Sequence, residues 1–405
     1  MRILFVSDTY YPHLNGVYYF VCRIAPLLRQ NGHSVAVIAP SETTHFTRRK
    51  IDDIDVYGVP SLPVALYPKL RVPIPFMLRS RIGRVLSEFG PDIIHIQDHF
   101  LLARSVVKLN KGMGIPIMGT NHFMPENLTA LIRTDKWERR LEKLLWSRFS
   151  SVYDQLMLVT TPTETAARLI RPLLDVRVEA VSSGIDLEKF TPFGDSEKIR
   201  ARYGIPDKPT VLFVGRLDPE KKMEEVLEAT ALALKQLDFC LVVVGKGIRK
   251  KALEKRAATL GIAGNVIFTG FVPEEDLPMI YHLSWCFIIA STAELLSLAT
   301  LQAMASGLPV IAARAGALEE LVRDRINGLL FEAGDIDGIV RCMVEVIGNQ
   351  TLREQMSKKS LEFSKEHDIH EAVRSFESIY QYLGQRGFWE VVNEQGPWTL
   401  SSVKK

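Results

Sequence analysis

Thr210-Val211-Leu212-Phe213-Val214-Gly215-Arg216-Leu217-Asp218-Pro219-Glu220-Lys221-Lys222 is the stretch on which the fold turns. A short apolar run ends in a glycine. A guanidinium and an ammonium follow on the loop, and a helical pattern takes over at Val226–Gln236. The next apolar run, Cys240–Val244, again ends in a glycine, Gly245. Strand, helix and strand in that order make a parallel unit, because parallel neighbours need a crossover between them. Further strand-like runs at Val266–Thr269, Cys286–Ile289 and Pro309–Ala312 extend the sheet.

The same grammar occupies the first half. Ile3–Val6 is a strand, Val17–Gln30 a helix ended by Asn31-Gly32, and Ser34–Ala39 a second strand. Runs at Asp92–Ile96, Ile115–Gly119 and Met157–Thr160 continue it. Alternation of this kind predicts an α/β protein with parallel sheets covered on both faces. A polar joint around 182–204, with Asp186, Pro192, Gly194 and Asp195, separates two doubly wound units. After Asp335 the chain turns helical, and 396–405 reads as a frayed end.

Composition sets the class. Of 405 residues, 47% are hydrophobic and 24% charged, an ordinary globular balance. A net charge of +3 gives no reason to expect a nucleic-acid partner. The four cysteines, Cys22, Cys240, Cys286 and Cys342, make no metal-like spacing and read as buried thiols in a reducing compartment. No apolar run reaches the roughly 18 residues of a membrane span, and MRILFVSD is a strand rather than a signal peptide. The expectation is a cytoplasmic protein, soluble or peripheral on the inner face of the plasma membrane.

In open α/β sheets ligands bind beyond the carboxyl ends of the strands. Three loops stand there. Arg216 and Lys221 offer a fork and a point charge to two phosphates, or else form ordinary surface pairs. The run from Ala293 to Gly307 places Glu294 ahead of a helix that Ser297 caps and Gly307 stops, with Gln302 about two turns along. Amides at such a helix start face an anion, while its apolar side packs inward. The loop Tyr11–Val17 carries Gly16, where backbone approaches closely. The GxGxxG fingerprint is missing after Val6 and Val214, which excludes a nicotinamide-binding dehydrogenase.

With these motifs in hand, and with Ser182–Phe190 (SSGID-x-x-x-F) and AMASGLPVIA at 303–312, the chain resembles the glycosyltransferases of family four, which retain anomeric configuration. The resemblance implies the GT-B fold: two Rossmann-like doubly wound domains facing across a cleft. It implies an acceptor domain over 1–190, a donor domain over 205–365, and C-terminal helices over 366–405 returning to the first. It implies a nucleotide-sugar donor as substrate, no other cofactor and no required metal. Arg216 and Lys221 match the diphosphate pair, Glu294 the acid that contacts the donor sugar, and Leu296, Ser297 and Leu298 the amides at the phosphates. Gly16 matches the second glycine of the N-terminal loop, where Asn15 replaces the first. His122 matches a histidine near the reacting sugar. Gln302 stands where the family has a second Glu, thought to hold the ribose, so the donor contact there is weakened. Asp53-Ile54-Asp55 looks like a metal-dependent acidic pair but lies in a charged stretch before a strand, and reads as a surface feature.

Two segments point to an anionic membrane. Residues 65–85 carry Lys69, Arg71, Arg79, Arg81 and Arg84 with no acid, and Pro73 and Pro75 argue against a core helix there. Residues 131–153 carry six basic and three acidic side chains, with Trp137, Leu141, Leu144, Leu145, Phe149 and Val152 at helical spacing. That stripe suits a membrane surface or a core equally. Thr120–Asn127 and His95–Phe100 resemble the branch that glucosylates diacylglycerol, with UDP-glucose as donor. His99 there either positions the glycerol hydroxyl or is structural. A soluble transferase to a sugar or polyol, and a non-catalytic nucleotide-sugar binder, remain as alternatives.

Overall fold

The computed structural model describes residues 1–11, 16–64, 67–123, 135–191 and 197–386, with side chains undescribed at 67–70 and 135–142. The motif residues Asn15 and 124–127, the joint residues Pro192, Gly194 and Asp195, and the C-terminal end at 396–405 lie outside them. Two compact units result: Met1–Ser183 with the described residues from His370 onward, and Gly184–Ile369.

The first unit is built from β1 (Arg2–Val6), α1 (Gly16–Gln30), β2 (Ser34–Pro40), β3 (Thr47–Ile51), β4 (Ile54–Val59), β5 (Ser61–Val64), β6 (Tyr67–Pro73), α2 (Pro75–Phe89), β7 (Ile93–Ile96), α3 (Leu101–Asn110), β8 (Ile117–Thr120), α4 (Asp135–Tyr153), β9 (Leu158–Thr161), α5 (Glu164–Ile170) and β10 (Val178–Ala180). Its eight-stranded sheet runs β10-β9-β8-β7-β1-β2-β4-β3, parallel except for the edge strand β3. Strands β1, β7, β8 and β9 are buried almost throughout, which is why they read as continuous apolar runs.

In the stretch Asp53-Ile54-Asp55, Asp53 is exposed with Asp52 at the tip of the β3–β4 hairpin, at φ of 63° and 47°, and Asp55 on β4 pairs with Arg48 at 3.4 Å, so the stretch is a surface feature. Acids and asparagines tolerate that left-handed backbone, so Asp52 and Asp53 serve a tight turn. One feature departs from the sequence reading: Pro75 does not prevent a core helix, because it is the first residue of α2, where its missing N–H costs nothing. Leu78, Ile82, Val85 and Leu86 bury the inner face of that helix.

The second unit continues with α6 (Glu197–Tyr203), β11 (Thr210–Val214), α7 (Met223–Ala233), β12 (Cys240–Val244), α8 (Lys250–Thr259), β13 (Val266–Gly270), α9 (Leu277–His282), β14 (Cys286–Ile289), α10 (Leu298–Ala305), β15 (Val310–Ala313), α11 (Leu318–Leu321), β16 (Gly328–Phe331), α12 (Ile336–Gly348) and α13 (Gln350–Ser364). Its sheet order is β13-β12-β11-β14-β15-β16, all parallel. Apolar clusters lie on both faces.

The last helix, α14 (Ile369–Gln385), packs into the first unit. Its Tyr380 hydroxyl lies 2.8 Å from His95 Nδ1, and His95 Nε2 lies 2.7 Å from Thr120 Oγ1. Thr120 is in turn 2.7 Å from Thr160 Oγ1. These groups are fully buried, so each needs its partner. Burial also pushes the His95 pKa well below its usual value and keeps the ring neutral. Tyr380→Phe leaves His95 Nδ1 unpaired. The expected loss is about 1–3 kcal/mol in urea unfolding with the fold retained; an unchanged midpoint would show that the pin is dispensable.

Candidate functional site

The second sheet sends β11 and β12 out at one edge, and their loops interlock. Gly215 N–H donates to Val244 O (3.0 Å), Leu217 N–H to Lys246 O (2.9 Å), and Arg249 N–H to Leu217 O (2.9 Å). Gly245, at φ 139°, makes this approach possible: a Cβ there would lie 1.8 Å from Gly215 O. The loop carrying Arg216 is therefore held by backbone. A 3₁₀ turn, Pro219–Lys221, follows, and the left-handed Lys222 (φ 53°) reverses the chain into α7.

Within this frame Lys221 Nζ donates to Glu294 Oε1 at 2.5 Å, joining residues 73 apart in the chain. Both side chains are largely buried. Arg216 is 62% exposed and donates to Asp218 (2.6 Å) and Glu220 (2.8 Å). Exposed pairs of that kind contribute about 0–1 kcal/mol, so the guanidinium can turn to an incoming anion at small cost. The Arg216–Asp218 contact is the ordinary surface pair that the loop sequence allows.

Ser297 is the N-cap of α10: its Oγ accepts from Thr300 N–H at 3.2 Å, and from the Thr300 hydroxyl at 2.8 Å. Leu296 precedes the cap and Leu298 opens the helix. First-turn amides of a helix have no acceptor within it and carry its positive dipole end. Glu294 O accepts from Ala317 N–H (3.2 Å), which ties the acidic loop to the chain after β15. Gln302 Oε1 accepts from the buried Tyr281 hydroxyl at 2.9 Å. Tyr281 lies on α9, and no spacing rule pointed to it. Arg216, Lys221, Glu294, Leu296, Ser297, Leu298 and Gln302 thus share one edge of the second unit.

Gly16 and His122 belong to the first unit. Gly16 is the first residue of α1, and among the described residues no atom lies within 4 Å of where its Cβ would be. A protein neighbour therefore does not demand glycine there. His122 Nε2 lies 2.9 Å from Gln97 Oε1, with the Phe20 ring 4.9 Å away. Burial first, and the charge of Arg23 second, lower its pKa.

The carboxyl edge of the first unit's sheet holds a buried carboxyl pair that no sequence motif marks. Asp8 accepts from Leu102 N–H (2.6 Å) and Ala103 N–H (3.0 Å), the first turn of α3. Asp98 Oδ2 accepts from Asp8 N–H at 2.8 Å. Burial raises both, but the α3 amides favour charge on Asp8. Asp98, with burial and the Asp8 charge against it, is pushed well up and holds a proton. His99, beside it, is 4% exposed among Phe100, Phe123 and Phe149, at ring distances of 4.5, 4.7 and 5.4 Å. Burial takes its pKa down to about 4.

With this geometry established, the relatives are informative. Residues 195–363 match the family described as glycosyl transferases group 1, and residues 14–189 match Glycosyltransferase Family 4. An alpha-monoglucosyldiacylglycerol synthase of Streptococcus pneumoniae is 30% identical over 91% of this chain and 83% of its own. The sulfoquinovosyl transferase SQD2 of Arabidopsis thaliana is 28% identical over 95% and 74%. A GDP-mannose-dependent alpha-mannosyltransferase of Mycobacterium tuberculosis is 28% identical over 83% and 85%. Among solved structures, the sucrose-phosphate synthase of Thermosynechococcus elongatus superimposes with a TM-score of 0.80 at 18% identity, covering 94% of this chain and 98% of that one. The fold is GT-B, two Rossmann-like domains, and the class is glycosyltransferase. The chain belongs to glycosyltransferase family 4, and its family supports transfer of a hexose.

His99 makes a separable contribution to the pH response of the first unit. Its folded pKa is about 4 against 6.5 in the unfolded chain. Between those values only the unfolded chain binds the proton, so stability falls as pH falls. Relative to His99→Phe, the wild type loses about 3 kcal/mol between pH 6.5 and 4. Parallel urea titrations of the two proteins at both pH values measure the difference, and equal slopes would contradict it.

Proposed function

We propose that this protein moves glucose from UDP-glucose to the hydroxyl of diacylglycerol at an anionic membrane surface, with retention of configuration. The observation that carries the donor half is the Lys221–Glu294 pair at 2.5 Å beside the Ser297-capped helix. Breaking a sugar–phosphate bond builds negative charge on the leaving nucleotide and positive charge on the sugar. Arg216, Lys221 and the start of α10 meet the first, with the Leu296, Ser297 and Leu298 amides at the phosphates. In this reading that charge is enough without a metal ion. Glu294 takes sugar hydroxyls and holds Lys221 in place. Gln302, oriented by Tyr281, takes the ribose. Gly16 and His122 contribute from the first unit, His122 near the reacting sugar. A donor phosphate oxygen accepts the acceptor proton on the front face.

Supporting a lipid acceptor are the name of the pneumococcal relative and the surface of the first unit. Residues 65–85 contain five basic residues and no acid. Around them Leu62, Val72 and Phe76 are exposed, Phe76 by 86%. Apolar side chains inside a basic segment suit an anionic bilayer. Arg71 and Arg84 stand apart: the Arg71 guanidinium is spent on Ser41 O and on Ser61, and Arg84 Nε donates to Glu88 at 2.6 Å. In α4, Phe149, Val152 and Tyr153 are core while Leu144 is exposed, so the described side chains from 143 to 153 divide between the two uses, and Trp137 and Leu141 lie outside the described side chains. No described helix is long and apolar enough to cross a membrane. The reading places the protein peripherally on the cytoplasmic face of the plasma membrane.

A second reading rests on the relatives. A mannosyltransferase using GDP-mannose is nearly as similar as the glucolipid synthase. Incubation with UDP-glucose or GDP-mannose, and with dioleoylglycerol in phosphatidylglycerol vesicles or free sugars, separates the two. The expected product is an α-glucosyl diacylglycerol, identified by mass and anomeric coupling. Product from GDP-mannose alone, or on sugars alone, contradicts the proposal. Arg216→Ala and Lys221→Ala are each expected to lower kcat/KM about a hundredfold. Wild-type turnover in either removes that residue from the site. Gln302→Glu is expected to keep or lower the donor KM. Loss of activity would show a site built around the amide.

A further inference from the structure

The carboxyl edge of the first sheet carries a row of polar residues that the donor chemistry does not use. Val6 pairs with Ile96 and Ile96 with Gly119, while Thr120 pairs with Thr160. Carrying those registers on by one or two residues sets Asp8, Asp98, Asn121 and Thr161 side by side across β1, β7, β8 and β9. Side chains alternate between faces along a strand, so residues in register share a face. The Asp8 N–H on Asp98 Oδ2 confirms the first step of the row. His95, Thr120 and Thr160 hydrogen-bond together on the opposite face. Gly119 and Ile96 lie against Tyr153 on the face of the row. His99 borders that face too, 6.2 Å from the Tyr153 ring.

Every member of the row is at least nine-tenths buried, and so is His99. Yet Asp98 Oδ1, both ring nitrogens of His99, Asn121 Nδ2 and Thr161 Oγ1 have no hydrogen-bond partner. Buried polar atoms are nearly always paired, and each one left unmade costs stability. Five such atoms gathered at the strand ends, where α/β folds bind ligands, mark a site built for hydroxyl groups. Asn121 is held in place, because its Oδ1 accepts from Phe123 N–H at 2.9 Å and leaves Nδ2 to donate. His99 offers one donor and one acceptor as a neutral imidazole. Asp8 accepts from two α3 amides beside the row, and neither the four residues of the row nor the neutral His99 supplies a cation.

We propose that Asp98, His99, Asn121 and Thr161 bind the uncharged, hydroxyl-bearing head of the acceptor, and that the row rejects acceptors carrying a phosphate. This rests on the reading of the protein as a transferase to a lipid hydroxyl, and names the residues that select it. A phosphate dianion placed in this buried row finds carboxyl groups and no compensating cation. The hydroxyls of a glycerol head find donors and acceptors already in position.

The test uses the full chain and two short soluble probes, 1-hexanoylglycerol and 1-hexanoylglycerol 3-phosphate, followed by saturation-transfer NMR without membranes. The wild type is expected to bind the first and not the second. His99→Phe and Thr161→Val remove unpaired polar atoms from a buried place, so a purely structural role predicts an equal or higher Tm and unchanged binding. The proposal predicts an equal or higher Tm together with at least an about tenfold weaker affinity for 1-hexanoylglycerol. Unchanged probe affinity in both variants, or equal binding of the phosphorylated probe by the wild type, overturns it. Because the probes need no bilayer, binding without transfer to diacylglycerol in vesicles counts against the membrane reading and leaves this site standing.

Discussion

A parallel ladder sends all its strands out at one edge, and in this chain the chemistry collects there. The strands are mostly apolar on both faces, and the few polar side chains within them, such as His95, Thr120 and Thr160, are buried and paired with one another. The polar residues start one or two positions after each strand ends: Ser7-Asp8, Gln97-Asp98-His99, Asn121-His122 in the first unit, and Gly215-Arg216 in the second. Parallel register then aligns those positions sideways at the spacing of neighbouring strands, about 4.8 Å. Residues far apart in sequence become neighbours because the ladder leaves them no other place.

The donor edge adds one more constraint. Lys221 and Glu294 lie on loops after different strands, and each is nearly buried. A largely buried ammonium needs a carboxylate, and the reverse also holds. Their pairing therefore fixes the basic loop against the acidic one before any ligand is considered. The backbone crossing at Gly215 and Gly245 supports it from beneath. Arg216, by contrast, is tied only by exposed pairs and is free to reorient. The same edge thus combines a preset charge with an adaptable one.

Much of this was legible in the amino-acid sequence. β11, β12 and β14 fall at the predicted residues, because a strand buried on both faces is a bounded apolar run. The helix at Leu298 was legible from its cap, Ser297. Three things were not. The β3–β4 hairpin was missed because Arg48, Arg49 and Lys50 make its edge strand polar, as suits an unpaired edge. Pro75 reads as a breaker by residue type alone, but its position at the helix start makes it a beginning. Tyr281 with Gln302, and Asp8 with Asp98, meet only through tertiary packing, and no local pattern announces such pairs.

The central claim is that the second unit grips a diphosphate through Lys221 and the start of α10. Calorimetric titration of UDP and UMP against the wild type and Lys221→Ala tests it most directly. The account predicts that the wild type binds UDP much more tightly than UMP, and that Lys221→Ala removes most of that preference while UMP affinity hardly changes. Equal preference for UDP in both proteins would contradict it.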